Sequence, residues 1–326
     1  MDHRDLTIAA ADSTLSTSEL LHKVVPHYQL PTPKICEFWH KGINDTYKVS
    51  SENESFILRV YRNNWRTRSA IEFELDALIH LHRANAAVAT PIARKDGEFI
   101  TPIMAPEGER YVIVTQFAPG SILTFEYPSD AILFGQAVAE IHHCSSGFTS
   151  RASRAPLDLN YLINIPLVNI QPYLSHRRSD WKFLCGLATQ LSIIIKATDM
   201  DTLDYGFCHG DLHGENAHVY GGKVTHFDFD CCGLGWRIYD LATFKWVMQL
   251  LGKEEPLWSN FLDGYRSRRK ITDLDLNLIE PFIAMRDIWF FGLNASNSLA
   301  QGQLNDCYFD LHLNFLKQIS KQLIVP

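Results

Sequence analysis

The stretch Phe207–Asp240, FCHGDLHGENAHVYGGKVTHFDFDCCGLGWRIYD, decides how the chain of 326 residues is read. It opens on a polar loop carrying His209, Asp211, His213 and Asn216. Two short apolar runs follow, Ala217–Tyr220 and Lys223–Asp230, joined by Gly221-Gly222, and together they read as a tight hairpin. Pairing Tyr220 with Lys223 across the turn sets Asn216 opposite Phe227, next door to Asp228. Partners in such a ladder stand about 5 Å apart, so Asn216 and Asp228 can share one cation. The loop and hairpin together offer a carboxylate at Asp211, an amide oxygen at Asn216 and a second carboxylate at Asp228.

Asp211 precedes Asn216 by five residues, the spacing of the Asp and Asn in a kinase catalytic loop. Phosphoryl transfer asks a protein mainly to position groups and neutralise charge. A hard ion such as Mg2+ takes oxygen ligands and keeps several waters, so one amide oxygen and one or two carboxylates suffice. The acceptor hydroxyl then needs a carboxylate to orient it and take its proton, the role expected of Asp211. The plainer reading makes Asp211 and Asp228 a turn residue and a strand end with solvated charges; the ordered set favours chemistry. GDLHG also suits a metallophosphoesterase, but the further GD-x-x-DR and GNH ligand elements of such a site are missing. His209, His213 and His218 match none of the common zinc spacings, and His209 reads as an orienting or packed histidine. A nucleotide-binding pseudokinase is a further alternative, against which the intact Asp211, Asn216 and Asp228 argue.

Composition bounds the class. With 46% hydrophobic and 21% charged residues the chain is globular with a substantial core. A formal charge of −7 argues against a broad basic surface for nucleic acid. Seven scattered cysteines without a C-x-x-C pair suggest reduced thiols. No signal-like start and no apolar run of about 18–20 residues is present, so a cytoplasmic protein without a membrane partner is expected.

Residues 1–35 read as a polar start with a short helix around Ser18–His27, and no chemistry is assigned to them. Cys36–Tyr61 alternates as two or three strands, with a turn at Gly42-Ile43-Asn44-Asp45-Thr46. Period-two counting puts Ile57, Arg59 and Tyr61 on one face of the strand Phe56–Tyr61. A helix follows from Ser69, where Ser69 and Glu72 form a capping-box pattern. Glu74 falls on its apolar face, and a carboxylate buried among leucines requires a cation. Arg59 is the candidate, because a strand cation paired to a helix Glu is the kinase device for holding nucleotide phosphates.

Strands are expected at Glu98–Met104 and Arg110–Phe117, and Ala118-Pro119-Gly120 breaks the pattern. This sets an N-terminal nucleotide-binding lobe at 1–117 and a C-terminal catalytic and acceptor-binding lobe at 118–326. Helices are expected at Asp130–His143, Asp180–Ala197, Leu241–Leu251, Leu257–Arg269, Leu274–Asn294 and Tyr308–Leu323. The predicted fold class is α+β: a small antiparallel sheet with one key helix, then a larger, mainly helical lobe, with a nucleotide in the cleft between them. Its base would bond to backbone near Gln116, Phe117 and Ala118. Acidic residues such as Asp230 and Asp287 are candidates to meet a cationic acceptor, or to be solvated or ion-paired.

HGDLHGEN at His209–Asn216, FDFD at Phe227–Asp230, YDLA at Tyr239–Ala242 and the helix end Ala139–His142 together resemble the aminoglycoside phosphotransferase and choline kinase-like superfamily, with a protein-kinase-like fold. Gly42–Tyr47 is similar to the nucleotide loop of type II homoserine kinases. Val60-Tyr61-Arg62, Trp65 and Ile279–Arg286 are similar to bacterial stress-response Ser/Thr kinases of that group. The resemblance covers about Glu37 to Leu316. It implies Asp211 as catalytic base, Asn216 and Asp228 as magnesium ligands, and Gly42, Asn44, Arg59, Glu74 and Gln116–Ala118 around the nucleotide. It also implies Asp240 as a brace of the loop and Asp230 as a secondary metal or substrate contact. Many members carry Lys where Arg59 stands, a difference of size and geometry. The expectation is an ATP- and Mg2+-dependent phosphotransferase acting on a hydroxyl of a small molecule, or alternatively of a protein serine or threonine.

Overall fold

In the computed structural model, which describes residues 10–297 and 304–323, the chain divides into two compact units. One gathers the described residues up to Arg83 with Val88–Pro119 and Ser150–Ser153; the other takes Ala84–Ala87, Gly120–Thr149 and the described residues from Arg154 on.

The first unit is an antiparallel sheet of β1 (Ile35–Lys41), β2 (Asp45–Ser50), β3 (Ser55–Val60), β4 (Thr101–Ala105) and β5 (Gly108–Gln116), in the order β1-β2-β3-β5-β4. Alternation explains its two faces. Tyr47, Val49, Phe56, Leu58, Val60, Val112 and Val114 share a core with Leu20, Val24, Val25 and Tyr28 of the N-terminal helical turns. Tyr61 and Ile113 pack instead with Ile71 and Leu75 of helix α1 (Arg68–Arg83). The cap of α1 is Thr67 rather than Ser69. Thr67 Oγ1 accepts from the Ala70 amide at 3.2 Å, while Ser69 Oγ accepts from the Ser153 amide at 2.8 Å. The polar start is also fastened to this unit. Arg110, 1% exposed, donates to the Ser13 carbonyl at 2.8 Å and pairs with Asp45 at 2.9 Å; the Leu15 amide donates to the Tyr47 hydroxyl at 2.9 Å.

The second unit is mainly helical: α2 (Pro128–Cys144), α3 (Arg178–Ala197), α4 (Ile238–Leu250), α5 (Glu254–Arg266), α6 (Ile279–Ser296) and α7 (Asp306–Ser320). Two departures from expectation have local causes. The pattern Leu274–Asn294 is two helices, because Thr272 and Asp275 form a reciprocal capping box on a short helix at Asp273–Asn277, and α6 starts afresh at Ile279. A helical run over 160–174 was not expected at all. Pro166 and Pro172 look like breakers, yet each sits in the first turn of its own short helix, where proline lacks no needed donor.

Small strands hold the loop of interest. β6 (Ser121–Ile122), β8 (Ala217–Tyr220) and β9 (Lys223–His226) form one sheet, and β7 (Tyr205–Cys208) pairs with β10 (Gly233–Trp236) in another. The hairpin has the register read from its sequence, with Tyr220 opposite Lys223 and Ala217 opposite His226. Among the described residues no helix is long and apolar enough to cross a membrane.

Candidate active site

The loop after β7 is shaped by Gly210 and hung on Asp240. Gly210 has φ +82, and a Cβ there would lie 2.1 Å from the Cys231 carbonyl oxygen, so no other residue fits without moving the backbone. Asp240, fully buried in the first turn of α4, accepts the amide of His209 at Oδ2 and that of Gly210 at Oδ1, each at 2.8 Å. Its Oδ2 also meets His142 Nε2 at 3.0 Å. A carboxylate only accepts, so His142 carries its proton on Nε2 and its Nδ1 receives the Tyr265 hydroxyl at 3.0 Å. Burial pushes the His142 pKa below its ordinary value despite the pull of Asp240 in the other direction.

His209 is a packed, orienting histidine. Its Nε2 donates to the Phe227 carbonyl at 3.0 Å, its Nδ1 faces the Asp211 amide at 3.3 Å, and its ring lies 4.2 Å from that of Phe229. This ties the loop to the far end of the hairpin. Burial also lowers its pKa.

Asp211 is about a quarter exposed. Its Oδ2 accepts from Asn216 Nδ2 at 3.1 Å, and that amide also donates to the Asp211 carbonyl at 2.9 Å. His213 Nε2 lies 3.4 Å from Oδ2. Its Oδ1 is ion-paired with Arg286. Burial alone would raise the Asp211 pKa, but the Arg286 charge, followed by that of His213, holds it well below the usual carboxylate range. The same pairing raises the pKa of His213 against its own burial.

Asn216 closes a single turn at Gly214–Asn216, and its carbonyl accepts the Phe227 amide at 3.0 Å. The ladder thereby extends one pair beyond the strands and sets Asp228 beside it, as the sequence register requires. Asp228 itself adopts φ 61 and ψ 59, a left-handed conformation uncommon outside glycine, though Asp takes it more readily than most residues. Asp230, two residues on, is buried, and Arg154 bonds its carbonyl. Asp287 lies in the core of the second unit. It is fully buried, with Oδ1 accepting from Trp246 Nε1 and meeting His312 Nδ1, each at 2.9 Å.

In the first unit, Arg59 Nη1 and Glu74 Oε1 are 2.6 Å apart, Glu74 being fully buried. The Tyr61 hydroxyl donates to the other carboxylate oxygen at 2.8 Å and accepts from Arg59 at 3.2 Å. Gly42 and Asn44 shape the turn after β1. The Gly42 amide donates to the Asn44 carbonyl at 3.1 Å, and Asn44 Oδ1 accepts the Arg62 amide at 3.1 Å. The amides of Gln116 and Phe117 donate to Thr90 and Ser55, and Ala118 is buried. The Phe117 ring meets Trp39 edge-on at 6.0 Å, with Lys48 Nζ over both rings. Trp39 sits at a bulge of β1, half exposed, and sequence reasoning passed over it.

Sequence reasoning does not single out Arg286, the ionic partner of Asp211, beyond its place in a family-like segment. The available signal was the adjacent pair Arg286-Asp287 inside the apolar run of α6, since buried charges demand partners.

The family model for phosphotransferase enzymes matches residues 34–269. An uncharacterised protein of Deinococcus radiodurans strain R1 is 38% identical over 322 residues, covering 95% of this chain and 91% of that one. Among solved structures, a microcompartment-associated aminopropanol kinase is similar at TM-score 0.76 and 22% identity, covering 94% of this chain and 98% of its own. The amicoumacin kinase hAmiN, in complex with AMP-PNP, Ca2+ and Ami, is similar at TM-score 0.74 and 20% identity over 95% of each chain. These likenesses show the α+β, kinase-like fold that the hairpin stretch led us to expect. The family match runs from the first strand of the sheet to beyond the loop and hairpin, and the chain belongs to the aminoglycoside phosphotransferase-type family of phosphotransferase enzymes.

Proposed function

We propose that this enzyme transfers the γ-phosphoryl group of ATP, with Mg2+, to a hydroxyl of a small molecule. The observation that carries the reading is Asp211 bonded to Asn216, with the hairpin register setting Asp228 beside Asn216. Asn216 Nδ2 is committed to Asp211, which leaves its Oδ1 to a cation, and Asp228 adds a carboxylate. This hard-oxygen pair fits a metal that keeps waters and phosphate oxygens as its other ligands. When bound, Mg2+ supplies neutralisation of the phosphate charge.

The protein's own groups do the rest. Asp211 orients the acceptor hydroxyl and takes its proton as transfer completes. Its depressed basicity suits this order of events, because a loose transition state needs little proton removal early on. Arg59, held by Glu74 and Tyr61, is the phosphate cation. Gly42 and Asn44 form the turn over the phosphates, and Gln116–Ala118, with Trp39 nearby, form the nucleotide-base side. A small acceptor is favoured by the structural likeness to kinases of aminopropanol and amicoumacin.

The test is thermal unfolding with ATP and with GTP, each with and without Mg2+, on wild type and Asp228→Ala. Nucleotide at about 100 times its dissociation constant adds roughly 2.7 kcal/mol. A Mg2+-dependent shift lost in Asp228→Ala supports the site; no shift with either nucleotide refutes it. ADP release is then followed with 1-amino-2-propanol, ethanolamine, choline, homoserine, an aminoglycoside and a generic protein substrate. Asp211→Asn is expected to lose on the order of 10²–10⁴-fold in turnover while keeping the nucleotide shift.

A further inference from the structure

Arg286 stands in the middle of α6, a helix whose neighbouring residues are almost all core, and it is only 2% exposed. Burying an unpaired guanidinium costs several kcal/mol, so its partners must be good. They are not structural carboxylates. Asp287, the next residue, is engaged by Trp246 and His312. Instead Nη2 pairs with Asp211 Oδ1, and Nη1 donates to the Gly210 carbonyl at 3.0 Å and approaches the Tyr239 hydroxyl at 3.4 Å. The guanidinium carbon lies 4.7 Å from the ring centroid of Trp289 and 5.0 Å from that of Trp246. Trp246 is itself fixed through its indole nitrogen by Asp287.

We propose that Arg286 is the positioning residue of the transfer site: it fixes the Asp211 carboxylate by one oxygen and the loop by the Gly210 carbonyl, so that Oδ2 is the oxygen offered to the acceptor hydroxyl. The inference rests on the reading of Asp211 given above and adds a residue outside the segment matched by the family model. The shape of the group matters as much as its charge. A planar fork can bond a backbone carbonyl and a carboxylate at once, whereas a lysine ammonium cannot hold both in one orientation. The aromatic rings and Tyr239 keep the fork in place, and Asn216 and His213 define Oδ2 from the other side. Small displacements at a reacting group are expensive, about 10²-fold in rate for roughly 1 Å.

The experiment compares wild type, Arg286→Gln, Arg286→Lys and Arg286→Ala by acceptor-free ADP release from Mg·ATP, in which water takes the phosphoryl group and no acceptor need be known. Arg286→Gln is expected to lower kcat on the order of 10²-fold and Arg286→Lys on the order of 10-fold, with KM for ATP within about twofold of wild type. Guanidinium ion at millimolar concentration is expected to return at least about tenfold to Arg286→Ala and nothing to wild type, a rescue that a merely structural arginine would not show. Should Arg286→Gln fail to fold, Arg286→Lys decides alone. Wild-type kcat in Arg286→Lys and Arg286→Gln, or a rise in KM at unchanged kcat, overturns the positioning role and leaves the phosphotransferase reading intact. Wild type releasing ADP no faster than Asp211→Asn overturns the reading of Asp211, and the role of Arg286 with it.

Discussion

Asp240→Asn puts the support of the loop to a quantitative test. The native carboxylate accepts three N–H groups inside the core: the amides of His209 and Gly210 and the ring of His142. The substituted amide has one acceptor oxygen. Turned toward Gly210, it keeps that bond as a neutral one. Its NH2 then replaces Oδ2, facing His209 and His142 together. His142 can adapt by accepting at Nε2 and donating from Nδ1 to the Tyr265 hydroxyl, reversing the present bond. The His209 amide cannot adapt, and it ends as a buried donor facing a donor.

An orphaned buried N–H costs about 1–3 kcal/mol, and turning two charge-assisted bonds into neutral ones costs about 1 kcal/mol each. The expected loss is therefore about 3–5 kcal/mol, which in a unit of this size lowers Tm by roughly 10 °C. Calorimetry and urea denaturation followed by far-ultraviolet circular dichroism measure it. A loss under about 1 kcal/mol refutes the view that Asp240 holds the loop through these bonds.

Glu74→Gln removes the charge of a carboxylate that pairs with Arg59; the ATP-dependent thermal shift should shrink as Kd rises on the order of tenfold, since about 1.4 kcal/mol is a factor of ten, and an unchanged titration would remove Glu74 from the nucleotide argument. The folded-state pKa of His142 lies below its ordinary value, set by burial and by Arg237 and Arg269 against Asp240, which acts the other way. The unfolded chain thus binds this proton first: the contribution of His142 to stability is level above about pH 6.5 and falls below it by up to about 1.4 kcal/mol per pH unit, in addition to that of the other buried histidines. His142→Gln should flatten that slope by one proton, and equal slopes in urea melts from pH 5 to 7.5 would refute this. Gly264→Ala on α5 places a Cβ 2.1 Å from the Ile132 carbonyl oxygen of α2. It should destabilise by about 2–3 kcal/mol although alanine is the better helix former by about 1 kcal/mol, and a Tm at or above wild type would show that the helices can part freely.

What the sequence made legible follows from locality. The hairpin could be registered because two short apolar runs flank a Gly-Gly turn, and once Tyr220 meets Lys223 every other pair is fixed. Glu74 and Arg59 could be joined because a carboxylate on an apolar helix stripe must find a cation, and Arg59 lies on the strand just before that helix. Arg286 obeys the same rule but acts over a long range, since its partner stands 75 residues earlier. Asp287 beside it goes to Trp246 and His312 instead, and no periodicity says which of two adjacent charges meets the loop. The polar start has no periodic pattern to read, because Ser13 and Leu15 hold to the sheet through carbonyls, amides and hydroxyls, with the Leu15 side chain packed against the apolar core as well.

Asp240 and Arg286 also need to be considered together. From two helices they reach three consecutive residues between them, sharing Gly210, and divide the polar groups by charge. The anion takes the amides of His209 and Gly210, while the cation takes the carbonyl of Gly210 and the carboxylate of Asp211. Gly210 is held at both its amide and its carbonyl, and Tyr239, which precedes Asp240 in α4, also faces Arg286. A loop with buried backbone must have its polar groups satisfied; here charged partners do so and fix one carboxylate as well. Two clamps on one loop are not independent, so their removals should not add. If the loop is a single held unit, Asp240→Asn combined with Arg286→Lys will cost less in kcat than the product of the two single losses, because either change alone already frees it. Losses that multiply fully would mean that each clamp acts on a different atom of the reaction, and the loop would have to be treated as two sites of control.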